Sequence, residues 1–361
     1  MKVKNGSTGQ WPLTAGLLAC LLAGISCALE AEQAGESMRI ASWNVQTLFD
    51  GVVNGSEYDD FGAASDWDAR RFQQRLEGLK DAFDVFCEAG LPTVLVLQEI
   101  ENEETLTALR RVCLDRRGYR WQAWAGRENG ALGVGVLSRV PLAGCRTHVL
   151  ASEEEPDLRP VFECIVQEPG GDVRLFACHW KSKLGGARET EVLRRGAAGL
   201  INRRIRALRT AGDRLPNLVL GDFNCNPDEF SRTGEEEATA ILPVSHADRG
   251  LPGSGLSLLL GDRAHAERAD GRLVFMSPWQ DSVYEGSYYY DGEWERIDQF
   301  LLGPGFFEGD SWVYRGFSVL ETAPFVRGGV PFRFAAHNGL GCSDHLPIAV
   351  DFVRVRAHSE N

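Results

Sequence analysis

One kind of segment recurs along this chain: a run of apolar residues that stops on an amide, a carboxylate or an imidazole. "TVLVLQEI" (93–100) is apolar without a break until Gln98-Glu99. A strand with one wet face would alternate, so this run predicts a strand buried on both sides. "MRIASWNV" (38–45) reaches Asn44, "DVRLFACHW" reaches His179, and "NLVLGDFN" (217–224) runs into Asp222 and Asn224. "ERIDQFLLG" carries Asp298, and "GCSDHLPIAVDF" (341–352) sets Asp344 and His345 just before a last strand. "GALGVGVLSR" and "PVFECIVQE" read as further strands between turn residues.

Strands buried on both faces need cover, and helical spacing supplies it. From Trp67 to about Ala89, Phe72, Leu76, Leu79, Phe83 and Phe86 recur on one helix face, and Gly90-Leu91-Pro92 ends the pattern. Asn102 caps a second helix predicted to run through Arg116, with Glu103 and Glu104 in its favourable first turn. An arginine-rich helix spans roughly 188–210, and residues 226–278 read as irregular. Strands and helices mix without strict alternation, which predicts α/β (α+β) architecture: mixed β-sheet covered by helices. No linker or repeat divides residues 37–356.

The chain has 361 residues, 43% hydrophobic and 25% charged, ample for a large core. Its formal net charge of −13 excludes a protein that holds nucleic acid by bulk attraction. It does not exclude an enzyme whose acidic groups hold a divalent cation, because the ion inverts the local field. The first 28 residues read as a signal peptide, with Lys2 and Lys4 ahead of an apolar stretch. Processing at Cys20 or Cys27 would make a lipoprotein, and cleavage after Ala28 an ordinary secreted chain; residues 29–37 form a polar tether. Of the nine cysteines, none is in a C-x-x-C pair, which argues against a zinc site. Cys164 and Cys178 could pair across consecutive strands, and Cys225 and Cys342 could brace the site; the alternative is that they are small buried apolar groups.

Polar residues at the ends of several buried strands point to one rim, where ligand sites in sheet proteins tend to form. Carboxylate and amide oxygens suit a hard cation such as Mg²⁺. Two histidines beside carboxylates suit proton transfer and charge stabilisation. Hydrolysis of a phosphodiester uses all of these.

In order, "SWNVQTLFD", "VLVLQEIEN", "HWKSK", "GDFN", "WERIDQFLL" and "SDHLP" resemble the endonuclease/exonuclease/phosphatase superfamily over residues 38–353. "NVQTLFD", "HWKSK" and "YYYDGEWERIDQ" look most like its bacterial exported nuclease-like branch. The resemblance implies a four-layer sandwich of two packed mixed sheets flanked by helices, forming a single catalytic domain over 38–356. It implies metal binding by Glu99 with Asn44 and Asp344, water activation by Asp222, phosphate positioning by Asn224, and charge stabilisation by His345 held by Asp298. His179 would help protonate the leaving oxygen. Arg159 in "LRPVFE" matches a structural or phosphate-facing arginine, and Lys181 and Lys183 are candidate phosphate contacts. The implied cofactor is Mg²⁺, with Mn²⁺ or Ca²⁺ as alternatives.

The expected activity is an exported phosphodiesterase, foremost an endonuclease on DNA or RNA, acting as a monomer without a stable protein partner. It would touch a membrane only through its signal or lipid anchor. A sphingomyelinase-like lipase, a phosphatase of the same fold, or a non-catalytic surface lipoprotein are the alternatives. Gln46-Thr47 stands where relatives have Glu-Asn, "RENGALGVGVLSR" lacks the branch's acidic-Arg-Gly start, and 226–278 has no clear counterpart. The basic helix reads either as an ion-paired solvated face or as a phosphate track, and "SYYYDGEW" either as hairpin packing or as a base-stacking surface.

Overall fold

In the computed structural model, residues 36–150, 158–267, 272–307 and 312–354 are described. The expected signal peptide, with Cys20, Cys27 and Ala28, and most of the tether lie outside them. In chain order the strands are β1 (Ser37–Leu48), β2 (Val94–Ile100), β3 (Trp121–Ala125), β4 (Gly133–Ser138), β5 (Leu142–His148), β6 (Val161–Val166), β7 (Val173–His179) and β8 (Asn217–Asp222). Then come β9 (Ile241–Pro243), β10 (Leu258–Leu260), β11 (Val274–Phe275), β12 (Tyr288–Tyr290), β13 (Glu293–Glu295) and β14 (Asp298–Leu302). The last are β15 (Trp312–Val319), β16 (Val326–Arg327), β17 (Val330–Pro331) and β18 (Ile348–Arg354). The three long helices are α1 (Ala69–Glu88), α2 (Glu103–Cys113) and α3 (Glu191–Thr210).

Two sheets carry the fold. The first runs β15-β18-β1-β2-β4-β3 and the second β14-β8-β7-β6-β5. Both are mixed: β1 and β2 pair in parallel, as do β7 and β8, while their outer neighbours are antiparallel. The second sheet sorts its side chains with period two. Leu175, Ala177, Leu218, Leu220, Phe300 and Leu302 enter the core shared with the first sheet. Phe176, Cys178, Val219 and Leu301 face the other way, onto Ala197, Ala198, Ile201 and Ile205 of α3. On the far face of the first sheet, Leu76, Leu79 and Phe83 of α1 and Leu106 and Leu109 of α2 close the same core. The layers are therefore helices, sheet, sheet, helix, as the resemblance implies.

The boundaries differ from the sequence reading in a few places. The second helix stops at Cys113 rather than Arg116, with Leu114 as its cap. β3 and β5 are edge strands, and β5 is largely exposed, so neither shows the apolar run that marks an inner strand. The segment read as irregular holds β9, β10 and β11 as a small three-stranded parallel sheet. All seven described cysteines are free. Cys164 packs into the core between the sheets and Cys178 into the layer under α3; Cys342 and Cys225 divide in the same way. The two members of each possible pair thus lie on opposite sides of the second sheet, as small buried groups.

The arginines of α3 are largely spent on the protein itself. Arg194 is fully buried, bonded to Glu191 at 2.8 Å and to the carbonyls of Lys181 at 3.1 Å and Ala187 at 2.6 Å. Arg204 grips the buried Glu163 through two nitrogens at 2.7 and 3.0 Å, with Arg174 on the same carboxylate at 2.6 Å. Arg206 donates to Asn202 and Arg195 to the Pro252 carbonyl. These bonds favour the ion-paired reading of the helix.

Gly221 sets the closest approach in the second sheet. It pairs with Cys178 at φ +131°, and a Cβ there would lie 2.0 Å from the Cys178 carbonyl oxygen. Gly78, on the exposed side of α1, would meet nothing within 4 Å. Gly221→Ala is expected to cost at least about 2 kcal/mol of unfolding free energy. Gly78→Ala is expected to add about 0.5–1 kcal/mol. Urea titration of the two variants beside wild type measures both.

Candidate active site

Three adjacent strands of the second sheet end in register. His179 on β7 sits opposite Asp222 on β8, and Asp222 opposite Asp298 on β14. Cross-strand partners share a face, and these three follow Ala177, Leu220 and Phe300 onto the face toward the first sheet. There Asn44, at the corresponding end of β1, donates its amide to Asp222 Oδ2 and to Glu99 Oε1, both at 3.0 Å.

Glu99 gets there through irregular backbone. The β1–β2 and β2–β4 ladders both shift register at this level, and Gln46, Thr47 and Glu99 take φ of 55, 46 and 65°. Non-glycine residues held there are strained, and such strain gathers at functional sites. The bulges turn the Thr47 N–H onto Glu99 Oε2 at 2.6 Å. Asn224 is also left-handed, at φ 48°, and its N–H closes on Asp222 Oδ1 at 2.9 Å.

Asp344 and His345 arrive on the loop before β18, tied to the end of β1. Ser343 Oγ donates to the Asn44 carbonyl at 2.6 Å, the Asp344 N–H to Gln46 Oε1 at 3.0 Å, and the Trp43 indole to the His345 carbonyl at 3.0 Å. Arg75 of α1, 3% exposed, reaches through to the carbonyls of Val45 at 2.6 Å and Cys342 at 2.5 Å. Its guanidinium lies 3.8 Å from the centre of the Phe334 ring.

The two histidines have opposite electrostatic surroundings. His345 Nδ1 lies 2.8 Å from Asp298 Oδ2, which also accepts the Ser287 hydroxyl at 2.6 Å. Burial alone would lower the His345 pKa, but Asp298, Asp222 and Asp344 outweigh it and push it up to about 10. His345 is therefore an imidazolium at neutral pH. His179 lies 3.5 Å from Asp222 Oδ2 through Nε2, and its buried Nδ1 has no hydrogen-bond partner. Burial, with help from Arg159 and His345, holds it well below its ordinary pKa, hence neutral. Asp222 is pushed up to about 7, mainly by burial, with Asp298 adding to the shift and His345 opposing it. Groups whose surroundings separate their protonation states in this way are what acid–base chemistry requires.

A cleft of about 620 Å³ opens over this cluster. Of the residues expected from sequence, Glu99, His179, Asp222, Asn224, Asp344, His345, Arg159 and Lys183 line it. Asn44 and Asp298 lie beneath, bonded to Asp222 and His345. Lys183 holds its ammonium between Glu229 at 3.1 Å and Glu295 at 3.2 Å. Lys181 lines an adjoining hollow of about 260 Å³ that shares Arg159 and Tyr58 with the cleft. Sequence reasoning did not single out Arg333 and Tyr58 on the cleft wall, Ser287 behind Asp298, or Arg75. Only Arg75 left a trace: it stands on the apolar stripe of α1, with Leu79 four positions on and Ala82 seven.

The profile of the endonuclease/exonuclease/phosphatase family matches residues 39–243, more than half of the chain. The chain belongs to that family. It is an enzyme of phosphoester hydrolysis, nuclease-like in class and using a divalent metal. Among solved structures, an endonuclease/exonuclease/phosphatase family protein from Bacteroides thetaiotaomicron is 14% identical at TM-score 0.51, with 89% of this chain and 99% of that one covered. D. rerio TDP2 complexed with a single-strand DNA product is 15% identical at TM-score 0.50, covering 88% and 99%. The human Nocturnin catalytic domain with bound sulfate is 17% identical at TM-score 0.49, covering 88% and 95%. At these identities the first two structures speak to the fold alone. No curated protein matches.

The Asp298–His345 pair gives this family member a signature in stability. Because the folded pKa of His345 is raised, its contribution is fully present below the unfolded value of about 6.5. It is lost as pH rises through about 10. In EDTA, the stability advantage of wild type over His345→Gln should be largest near the lower value and vanish past the upper one. Urea unfolding across that pH range measures it.

Proposed function

We propose that this enzyme is an exported, Mg²⁺-dependent endonuclease that hydrolyses DNA or RNA by attack of water on phosphorus. The observation that carries the reading is the position of Asp222: 3.0 Å from Asn44, 3.5 Å from His179 and 3.8 Å from His345, at the floor of one cleft. Export rests on the sequence of the first 28 residues.

The donor set fits a hard cation. Glu99 and Asp344 offer carboxylate oxygens beside the Asn44 amide, with no thiolate among them. Burial and the nearby charge of Glu99 both raise the Asp344 pKa, which His345 and Arg333 only partly offset, so a cation there relieves a real repulsion. Asp222, Asp298 and His345 also form a compact group whose candidate atoms lie within 4.8 Å of one another. There, however, the imidazolium already supplies the positive charge, and Asp298 Oδ2 is taken up by His345 and Ser287. We therefore assign the cation to Glu99 and Asp344, with Asn44 adjacent. Bound there, it would neutralise charge gathering on the phosphate oxygens.

The chain's own residues supply the rest. Asp222, with its pKa near neutrality, accepts the proton of the attacking water, and the Asn44 side-chain amide and the Asn224 backbone N–H hold its oxygens in place. The His345 imidazolium, fixed by Asp298, stabilises charge on the phosphate. His179 is held neutral, so in this reading it donates a hydrogen bond rather than delivering the leaving group's proton. Arg159 orients the substrate from the cleft wall. Lys183, already neutralised by Glu229 and Glu295, shapes the wall more than it attracts phosphate.

Nicking of supercoiled plasmid tests the proposal. Wild type should nick with Mg²⁺ and stop in EDTA. Asp222→Asn and His179→Ala should each lose about 10²–10⁴-fold in rate. Glu99→Gln should raise the Mg²⁺ concentration needed for half-maximal rate. A folded wild-type protein that cleaves neither DNA nor RNA with any divalent cation would refute the nuclease assignment.

A further inference from the structure

The aromatic hairpin has a side that the chemistry above does not use. β12 and β13 pair antiparallel, and alternation sends Tyr288, Tyr290 and Glu295 to the cleft. Tyr289 turns the other way and packs edge-on against Trp294, with ring centres 5.3 Å apart. The two cleft-facing rings lie parallel, 10° apart in tilt and 6.3 Å between centres. The inner one, Tyr288, lies on the His345 ring at 4.6 Å. A strip of successive rings, His345, Tyr288 and Tyr290, thus runs outward from the imidazole that faces the phosphate, tilted by 35° at its inner contact and exposed at Tyr290.

The strip is fixed to the catalytic pair. Tyr288 forms a backbone bridge with His345, the Leu346 N–H donates to the Ser287 carbonyl at 2.7 Å, and the Ser287 hydroxyl bonds Asp298. A two-residue turn with Asp291 at φ 50° and Gly292 at φ 85° sets the hairpin, as primed turns do. Tyr290, at the outer end, is 63% exposed, an unusual position for a ring with so little cover.

Building on the nuclease reading, we propose that Tyr290, backed by Tyr288, forms a stacking wall for an unpaired nucleobase near the scissile phosphate. The wall thereby selects single-stranded or frayed nucleic acid. In a duplex each base face is covered by its neighbours, so only an unpaired or terminal base can lie on a protein ring. The charge pattern agrees. The chain carries a net −13, and four of the six α3 arginines, Arg194, Arg195, Arg204 and Arg206, are engaged internally, so a long duplex finds little to track. Local recognition at the cleft is what remains.

The experiment uses the whole protein and its Tyr290→Ala and Tyr290→Phe variants on three labelled substrates. These are oligothymidylate, the same oligomer built from base-free tetrahydrofuran units, and a blunt duplex. On oligothymidylate, Tyr290→Ala should raise KM by about tenfold or more with a smaller change in kcat, and Tyr290→Phe should resemble wild type. On the base-free oligomer, wild type and Tyr290→Ala should have equal KM. Wild type should prefer oligothymidylate over duplex, and Tyr290→Ala should narrow that preference. Equal kinetics of wild type and Tyr290→Ala on oligothymidylate, or an equal rise in KM on the base-free oligomer, would overturn the stacking wall and leave the nuclease reading standing. A wild-type enzyme that hydrolyses sphingomyelin or inositol phosphates but no oligonucleotide would overturn both.

Discussion

The site depends on a single alignment: His179, Asp222 and Asp298 lie in one row across β7, β8 and β14. Side chains on a strand alternate, so a slip of one residue in either pairing would turn a member of the row away from the first sheet. The tight contact of Gly221 with the Cys178 carbonyl guards the β7–β8 register one residue behind the row. The same alignment gathers buried ionisable groups, which are costly unless paired. The structure meets that cost by making His345 the counter-ion. It stands among Asp298, Asp222 and Asp344, whose negative charges hold it protonated.

Two buried arginines do comparable work at a distance. Neither touches the cleft; Arg75 bonds only backbone carbonyls, and Arg194 adds two carbonyls to its pair with Glu191 and its bond to the Thr190 hydroxyl. Arg75 joins the segment after Asn44 to the loop that bears Asp344 and His345. Arg194 holds both ends of the segment from Lys181 to Ala187, which carries Lys183 and the exposed Leu184 along the cleft rim. Bonds from a guanidinium to carbonyls, as at Arg75, fix loop geometry without bringing further negative charge to the site.

Much of this was legible in the sequence because burial and chemistry leave different marks. Val94–Leu97 and Leu218–Leu220 declare buried strands by composition, and the polar residues that end them have no place in such a core unless they do something. Asn102 announced the start of α2, where its side chain accepts from the Thr105 N–H. The rest was hidden for physical reasons. Edge strands such as β5 bury too little to need an apolar run. Ser287 and Arg333 sit outside the long strands and act through positions that only the folded chain brings near. The helix rich in arginine looked like a charged surface, yet Arg194 lies wholly inside, because partners such as the Lys181 carbonyl are invisible from spacing along the helix. The tyrosines of the hairpin were visible as a motif, but which of them face the cleft is decided by register alone.

The placement of β18 has a consequence for how the enzyme comes into being. Among the described residues, the last strand, β18, is not at an edge; it slots between β15 and β1. Arg39 on β1 bonds Asp351 on β18, 312 residues later. As the ribosome releases the chain from its beginning, β1 waits with one side open, and Asp298, Asp344 and His345 have yet to be made. Contacts this distant form late and slowly. The cleft therefore comes together only after β18 has been made and has paired with β1, and a chain cut short before Asp298 lacks three of the residues that build it.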